Sequence, residues 1–118
     1  MNIIGLGVDI EDIGRFRKLQ FPKNKSFYQK IFTPREIKYC LSRPDPYPSF
    51  AARFAAKEAV IKALPALGGA LPKSVKNFHA IEILMKNKKP QVSLKGFKIL
   101  VSLSHEKDKA IAMAIVGQ

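Results

Sequence analysis

The run FAARFAAKEAVIKAL, residues 50–64, constrains the fold more than any other part of the chain. Alanine and a few large apolar residues at this density specify a helix that other elements can approach closely. Ser49 stands before it as a candidate N-cap, and Pro65 lies just beyond its end. At about 100° per residue, Phe50, Phe54, Ile61 and Leu64 fall in one sector, the expected core stripe. Glu58 and Lys62 lie instead beside Ala51 and Ala55, an acid and a cation one turn apart over methyl groups. That arrangement is either an exposed i, i+4 ion pair worth about 0.2–0.5 kcal/mol or the floor of a site for a bulky polar ligand. Lys57 falls inside the apolar sector, so it has to snorkel past aromatic rings or hold a buried partner.

The rest of the chain supplies what such a helix packs against. MNIIGLGVDI alternates as a strand, with Ile4, Leu6, Val8 and Ile10 on one face and Ile3, Gly5, Gly7 and Asp9 on the other. The two glycines leave room for something to approach the Asp9 carboxylate. EDIGRFRKL predicts a short helix or turn with Ile13 and Phe16 inward and Arg15, Arg17 and Lys18 solvated. TPREIKYCL starts a helix, with Thr33 as cap, Pro34 in the first helical position and Glu36 completing a capping box. RPDPYPS, with three prolines, reads as a loop, and Gly68 and Gly69 fall in a second loop. FHAIEILMK alternates with His79, Ile81, Ile83 and Met85 on one face; NKKP is a turn, with Asn87 suited to the left-handed conformation, and QVSLKG continues the sheet. KILVSLSH and KAIAMAIVG flank EKD as a hairpin, whose second strand sets Ile111, Met113 and Ile115 against a face of Ala110, Ala112 and Ala114 on which a helix can pack closely. One strand, then helices, then strands joined by short turns predicts an α+β domain, a mainly antiparallel sheet packed against a long helix.

With 118 residues the chain suits one compact domain spanning 1–118. Its 21 Lys and Arg against 9 Asp and Glu, net +12, favour an anionic partner: nucleic acid, an acidic protein, a phosphate-rich small molecule or an anionic membrane surface. Cys40 is the only cysteine, so no intrachain disulfide can form, and a reducing compartment fits. Asp9, Glu11 and Asp12 interrupt the N-terminal apolar run, and no stretch reaches the roughly 20 apolar residues of a membrane span. A cytoplasmic protein is expected.

GLGVDIE together with ARFAAKEAVIKAL resembles the paired signature of the holo-acyl-carrier-protein synthases, the small group of 4′-phosphopantetheinyl transferases. The closing VSLSHEKDKAIAMAIV resembles that family's last hairpin, and the three segments in order span essentially the whole chain. The resemblance implies an enzyme, usually a homotrimer with sites between subunits. It implies transfer of phosphopantetheine from coenzyme A to a serine of apo acyl carrier protein in fatty acid biosynthesis, with release of adenosine 3′,5′-bisphosphate. Asp9 and Glu58 would hold Mg²⁺, an ion often bound by one or two carboxylates plus substrate phosphates and water. Lys62 would stabilise charge on the phosphates, and Glu58 or a bound water would take the serine proton. Arg53 and Lys57 resemble the family's cations near the coenzyme phosphates, with Ser104 and His105 near the adenosine end; for His105 the alternative is a hydrogen-bonded hairpin residue. Arg15 matches a carrier-docking arginine, and Arg17 and Lys18 beside it would extend that basic surface toward an acidic carrier. His79, on an apolar strand face, is expected to be structural.

Two departures stand out: relatives often carry a Gly-Thr-Gly type loop after the lysine matching Lys62, where this chain has ALPALGGAL, and often Gly-Lys-Pro where it has Lys88-Lys89-Pro90. The rival readings are a basic nucleic-acid-binding domain and a non-catalytic coenzyme A binding module. Against the first, the cations are spread along the chain without RNP-type aromatics, zinc-ligand spacing or a KH-type glycine loop. Against the second, carboxylates facing a pyrophosphate gain little unless a metal lies between.

Overall fold

The computed structural model describes residues 1–64 and 78–118. The expectations for Pro65, Gly68, Gly69 and the rest of the altered loop lie outside the described residues. Strand β1 (Ile3–Asp12) leads into the short helices α1 (Ile13–Lys18) and α2 (Lys25–Ile31), then α3 (Pro34–Leu41) and the long α4 (Pro46–Ala63). Strands β2 (Glu82–Lys86), β3 (Lys89–Ser93), β4 (Lys98–Glu106) and β5 (Lys109–Gly117) follow. The expected continuous sheet is two antiparallel sheets, one in the order β1-β5-β4 and one of β2 and β3.

The predicted capping box at Thr33 and Glu36 forms. The start of α4 differs from expectation: Asp45, not Ser49, is the N-cap, its carboxylate accepting from Tyr47 N at 3.4 Å. Pro46 and Pro48 sit in the first turn, where the N–H they lack has no partner inside the helix, so the proline-rich stretch enters the helix instead of ending before it. Helix α2, over KSFYQKI, was not anticipated; its aromatics join Phe16, Phe32 and Phe50 in a core cluster. His79 lies on a 3₁₀ turn (Phe78–Ala80), not on the strand, and its Nε2 meets Gln29 O. In the β2–β3 turn both Asn87 and Lys88 take positive φ, 51° and 63°, as a type I′ hairpin demands.

Helix α4 is buried nearly all round, beyond the predicted stripe, because it lies between the two core clusters. It packs on Ala110, Ala112 and Ala114 of β5 and against β1 through Gly5 and Gly7. A Cβ on Gly5 would sit 1.5 Å from Ala63 O, and one on Gly7 2.0 Å from Ala59 O. The space left by these glycines is therefore filled by the helix backbone, not by a ligand. The opposite face of the sheet is apolar and open: Leu6, Val8, Ile10, Leu100, Ile111 and Met113 are all exposed. Among the described residues, no helix is long and apolar enough to cross a membrane.

Candidate active site

Because β1 alternates and Gly5 and Gly7 face α4, Asp9 and Glu11 face it too. Lys62, leaving α4 one turn after Glu58, donates to Asp9 Oδ1 at 2.9 Å and to Val8 O at 3.2 Å. The i, i+4 pair with Glu58 is thus replaced by a tertiary bond to β1. The second Asp9 oxygen, Oδ2, is buried and has no hydrogen-bond partner. Burial first, and then the charge of Asp9, pushes the Glu58 carboxyl above the usual carboxylate range. The same two causes raise Glu11 to about 7, opposed by Arg15. The charge of Asp9 thus acts on both Glu11 and Glu58, and the cation beside these acids is Lys62. Its ammonium is held above its ordinary range, first by the hydrogen bond to Asp9 and then by that carboxylate's charge.

Two acids with one unpartnered buried oxygen suit Mg²⁺, which completes its shell with substrate oxygens and water. Among the described residues, no three His, Cys, Asp or Glu side chains gather into a metal cage of their own. Glu11 is the site-side acid that motif reasoning passed over, although its two-residue spacing from Asp9 already placed it on the same strand face.

A second site lies at the N-terminal half of α4. Arg53, only 4% exposed, lays its guanidinium over the Tyr39 ring at 4.2 Å and donates to Ser49 O, while its Nε has no partner. A cleft of about 200 Å³ brings it together with Arg43, Met85, Ser104 and His105. Ser104 and His105, from the end of β4, line the same cleft as Arg53. Arg43 and Tyr39 were missed: Arg43 lies between elements, where no periodicity marks it.

Lys57 is a correction. Its side chain is fully buried and its ammonium donates three bonds of 2.8 Å, to Glu36 Oε1, Phe78 O and Ile81 O. An ammonium has three protons, so none remains for a coenzyme phosphate. Both Glu36 oxygens are engaged, accepting from Thr33 N at 2.8 Å and Ile83 N at 2.9 Å besides Lys57. The pair ties α3 and α4 to the chain entering β2. Of the basic residues after Asp9, Arg15 reaches Glu11 at 3.5 Å and lies over Phe54, Arg17 pairs with Asp45 at 2.8 Å, and Lys18 is exposed.

An α+β domain with acids and a lysine on one side of a central helix and an arginine cleft on another offers the groups that a phosphorylated substrate and a divalent cation need. The family model of the 4′-phosphopantetheinyl transferase superfamily matches residues 5–116. A holo-[acyl-carrier-protein] synthase of Chlamydia caviae is 45% identical, over 98% of each chain. The crystal structure of a holo-(acyl-carrier-protein) synthase from Bacillus anthracis in complex with CoA (3′,5′-ADP) superposes with a TM-score of 0.80 at 29% identity, covering 98% of this chain and 97% of that one. The holo-[acyl-carrier-protein] synthase of Neisseria meningitidis gives a TM-score of 0.81 at 28% identity, over 98% and 99%. The chain belongs to the 4′-phosphopantetheinyl transferase superfamily, in its branch of holo-[acyl-carrier-protein] synthases.

Proposed function

We propose that this protein moves the 4′-phosphopantetheine arm of coenzyme A to a serine of an apo acyl carrier protein, with Mg²⁺, releasing adenosine 3′,5′-bisphosphate, in the cytoplasm and in the service of fatty acid biosynthesis. The observation that carries the reading is the meeting of Asp9 with Glu58 and Lys62, a helical pair some fifty positions further along the chain, with a buried carboxylate oxygen left unpaired. Asp9 and Glu58 would hold the ion, which when bound offsets charge on the diphosphate. The serine Oγ forms a bond to the β-phosphorus as the bond from that phosphorus to the bridging oxygen breaks, and the electron pair leaves with the adenosine bisphosphate. Lys62, already cationic at the mouth of this site, stabilises the charge that develops. The serine proton passes to Glu58 or to a water held by it.

The cleft of Arg43, Arg53, Ser104 and His105 takes the 3′-phosphate end of the coenzyme, where unpaired guanidinium donors meet an anion. Arg53 and Glu58 project about 140° apart around α4 at 100° per residue, so cleft and acids open on different sides of one helix. A homotrimer, formed over the exposed apolar sheet face, would bring one subunit's cleft toward another's acids. The net charge of +12, with Arg15, Arg17 and Lys18 beside the acids, suits an acidic carrier.

The test incubates the protein with apo acyl carrier protein, coenzyme A and Mg²⁺ and weighs the carrier by mass spectrometry. The expected result is one added phosphopantetheine, lost when EDTA is present. An unchanged carrier mass, with a control synthase active, refutes the proposal.

A further inference from the structure

The arginine cleft contains a feature that phosphate binding alone does not require. Two guanidiniums approach one aromatic ring: Arg53 at 4.2 Å and Arg43 at 5.8 Å from the Tyr39 centroid. Among the described residues, neither arginine forms an ion pair, although other basic side chains of the molecule have found carboxylates. Two like charges held at one ring repel each other, and Arg43 is on the surface, free to swing into water. An aromatic face attracts a cation through its quadrupole without neutralising it, so the ring holds both guanidiniums in place and leaves their charge for a ligand. A carboxylate in the same position would hold them as well and would also repel the phosphate.

We propose that Tyr39 is the positioning residue of this cleft: its ring sets Arg43 beside the buried Arg53 as a preformed clamp for a phosphomonoester dianion, and so gives the protein its preference for coenzyme A over 3′-dephospho-coenzyme A. The inference rests on the assignment of the cleft to the 3′-phosphate. A phosphomonoester suits two guanidiniums because it carries nearly two charges near neutral pH and three acceptor oxygens. Tyr39 is half-buried at the edge of the aromatic cluster, so an apolar replacement keeps its packing role and removes only the π face.

The experiment measures KM for coenzyme A and for 3′-dephospho-coenzyme A in the wild type, Tyr39→Phe and Tyr39→Leu. In Tyr39→Leu, KM for coenzyme A is expected to rise on the order of tenfold while KM for the dephospho analogue barely moves, and Tyr39→Phe is expected to retain the wild-type preference. Arg43→Ala should reproduce the loss, and the double variant Arg43→Ala/Tyr39→Leu should lose little more than either alone, because both changes disable one clamp. A preference that survives in Tyr39→Leu, an equal rise for both substrates, or fully additive losses in the double variant overturns the role given to Tyr39. A wild type indifferent to the 3′-phosphate overturns the assignment of the cleft itself, and the inference falls with it.

Discussion

Lys57 and Lys62 leave the same helix little more than one turn apart, and their surroundings assign them different work. Lys57 points between α3 and the strand β2 entrance, where Glu36 and two carbonyls take all three of its protons and no water reaches it. Lys62 points past β1 toward solvent, bonded to Asp9, with about half of its side chain exposed. Burial lowers the affinity of Lys57 for its proton despite the carboxylate beside it, whereas the bond to Asp9 raises that of Lys62. The lesson is that a cation in a signature motif is available to a ligand only if its donors are not already spent. By that criterion Lys62, Arg53 and Arg43 are available, and Lys57 is a structural tie.

The contrast can be broken most directly at the acid between the two lysines. Glu58→Gln keeps size and shape while removing the charge, and is expected to cost transfer on the order of a hundred- to a thousandfold with a Tm that holds or rises. A variant that loses activity only through unfolding, seen as a lowered Tm in circular dichroism, would make Glu58 another tie like Lys57. The lysines themselves sharpen the comparison. Lys57→Met strands the Glu36 carboxylate and should cost about 3–5 kcal/mol of stability by urea denaturation. Lys62→Met removes a half-exposed pair and should lower the urea midpoint far less, showing itself in a lowered kcat instead. Equal midpoints for the two variants would erase the distinction.

The smallest effect concerns pH. Glu11 titrates at about 7 in the folded protein against an ordinary value of 4.5, so between those values the native state keeps a proton that the unfolded chain has released. Stability of the metal-free protein must then fall as pH rises from about 4.5 to 7, and Glu58, shifted the same way, adds to the slope. Glu11→Gln is expected to flatten part of that slope in a series of melts at stepped pH. An unaltered slope would mean that Glu11 is not crowded by Asp9 and belongs with the solvated acids.

Much of this architecture was legible in the order of residues. Thr33, Pro34 and Glu36 announce a helix start because capping is local, and KILVSLSH with KAIAMAIVG announces a hairpin because strand alternation and turn length are local. The motif residues Asp9, Glu58 and Lys62 were recognisable as a set through the family resemblance; Lys62 bonds Asp9, and the charge of Asp9 acts on Glu58. The cap at Asp45 was hidden because three prolines suggest a loop unless one notes that a helix's first turn spares the missing N–H. Arg43 and Tyr39 were hidden because the cleft joins a helix, a connecting segment and a distant strand.

The sequence by itself determined which residues carry charge, where the capped helix after Thr33 and the closing hairpin lie, and the family to which the chain belongs, since each of these depends on residue types at short spacing. Only the tertiary structure decided which cations remain free. Whether Lys57 or Lys62 meets a carboxylate depends on which strand or helix folds against it, and those contacts join residues separated by twenty to fifty positions in the chain.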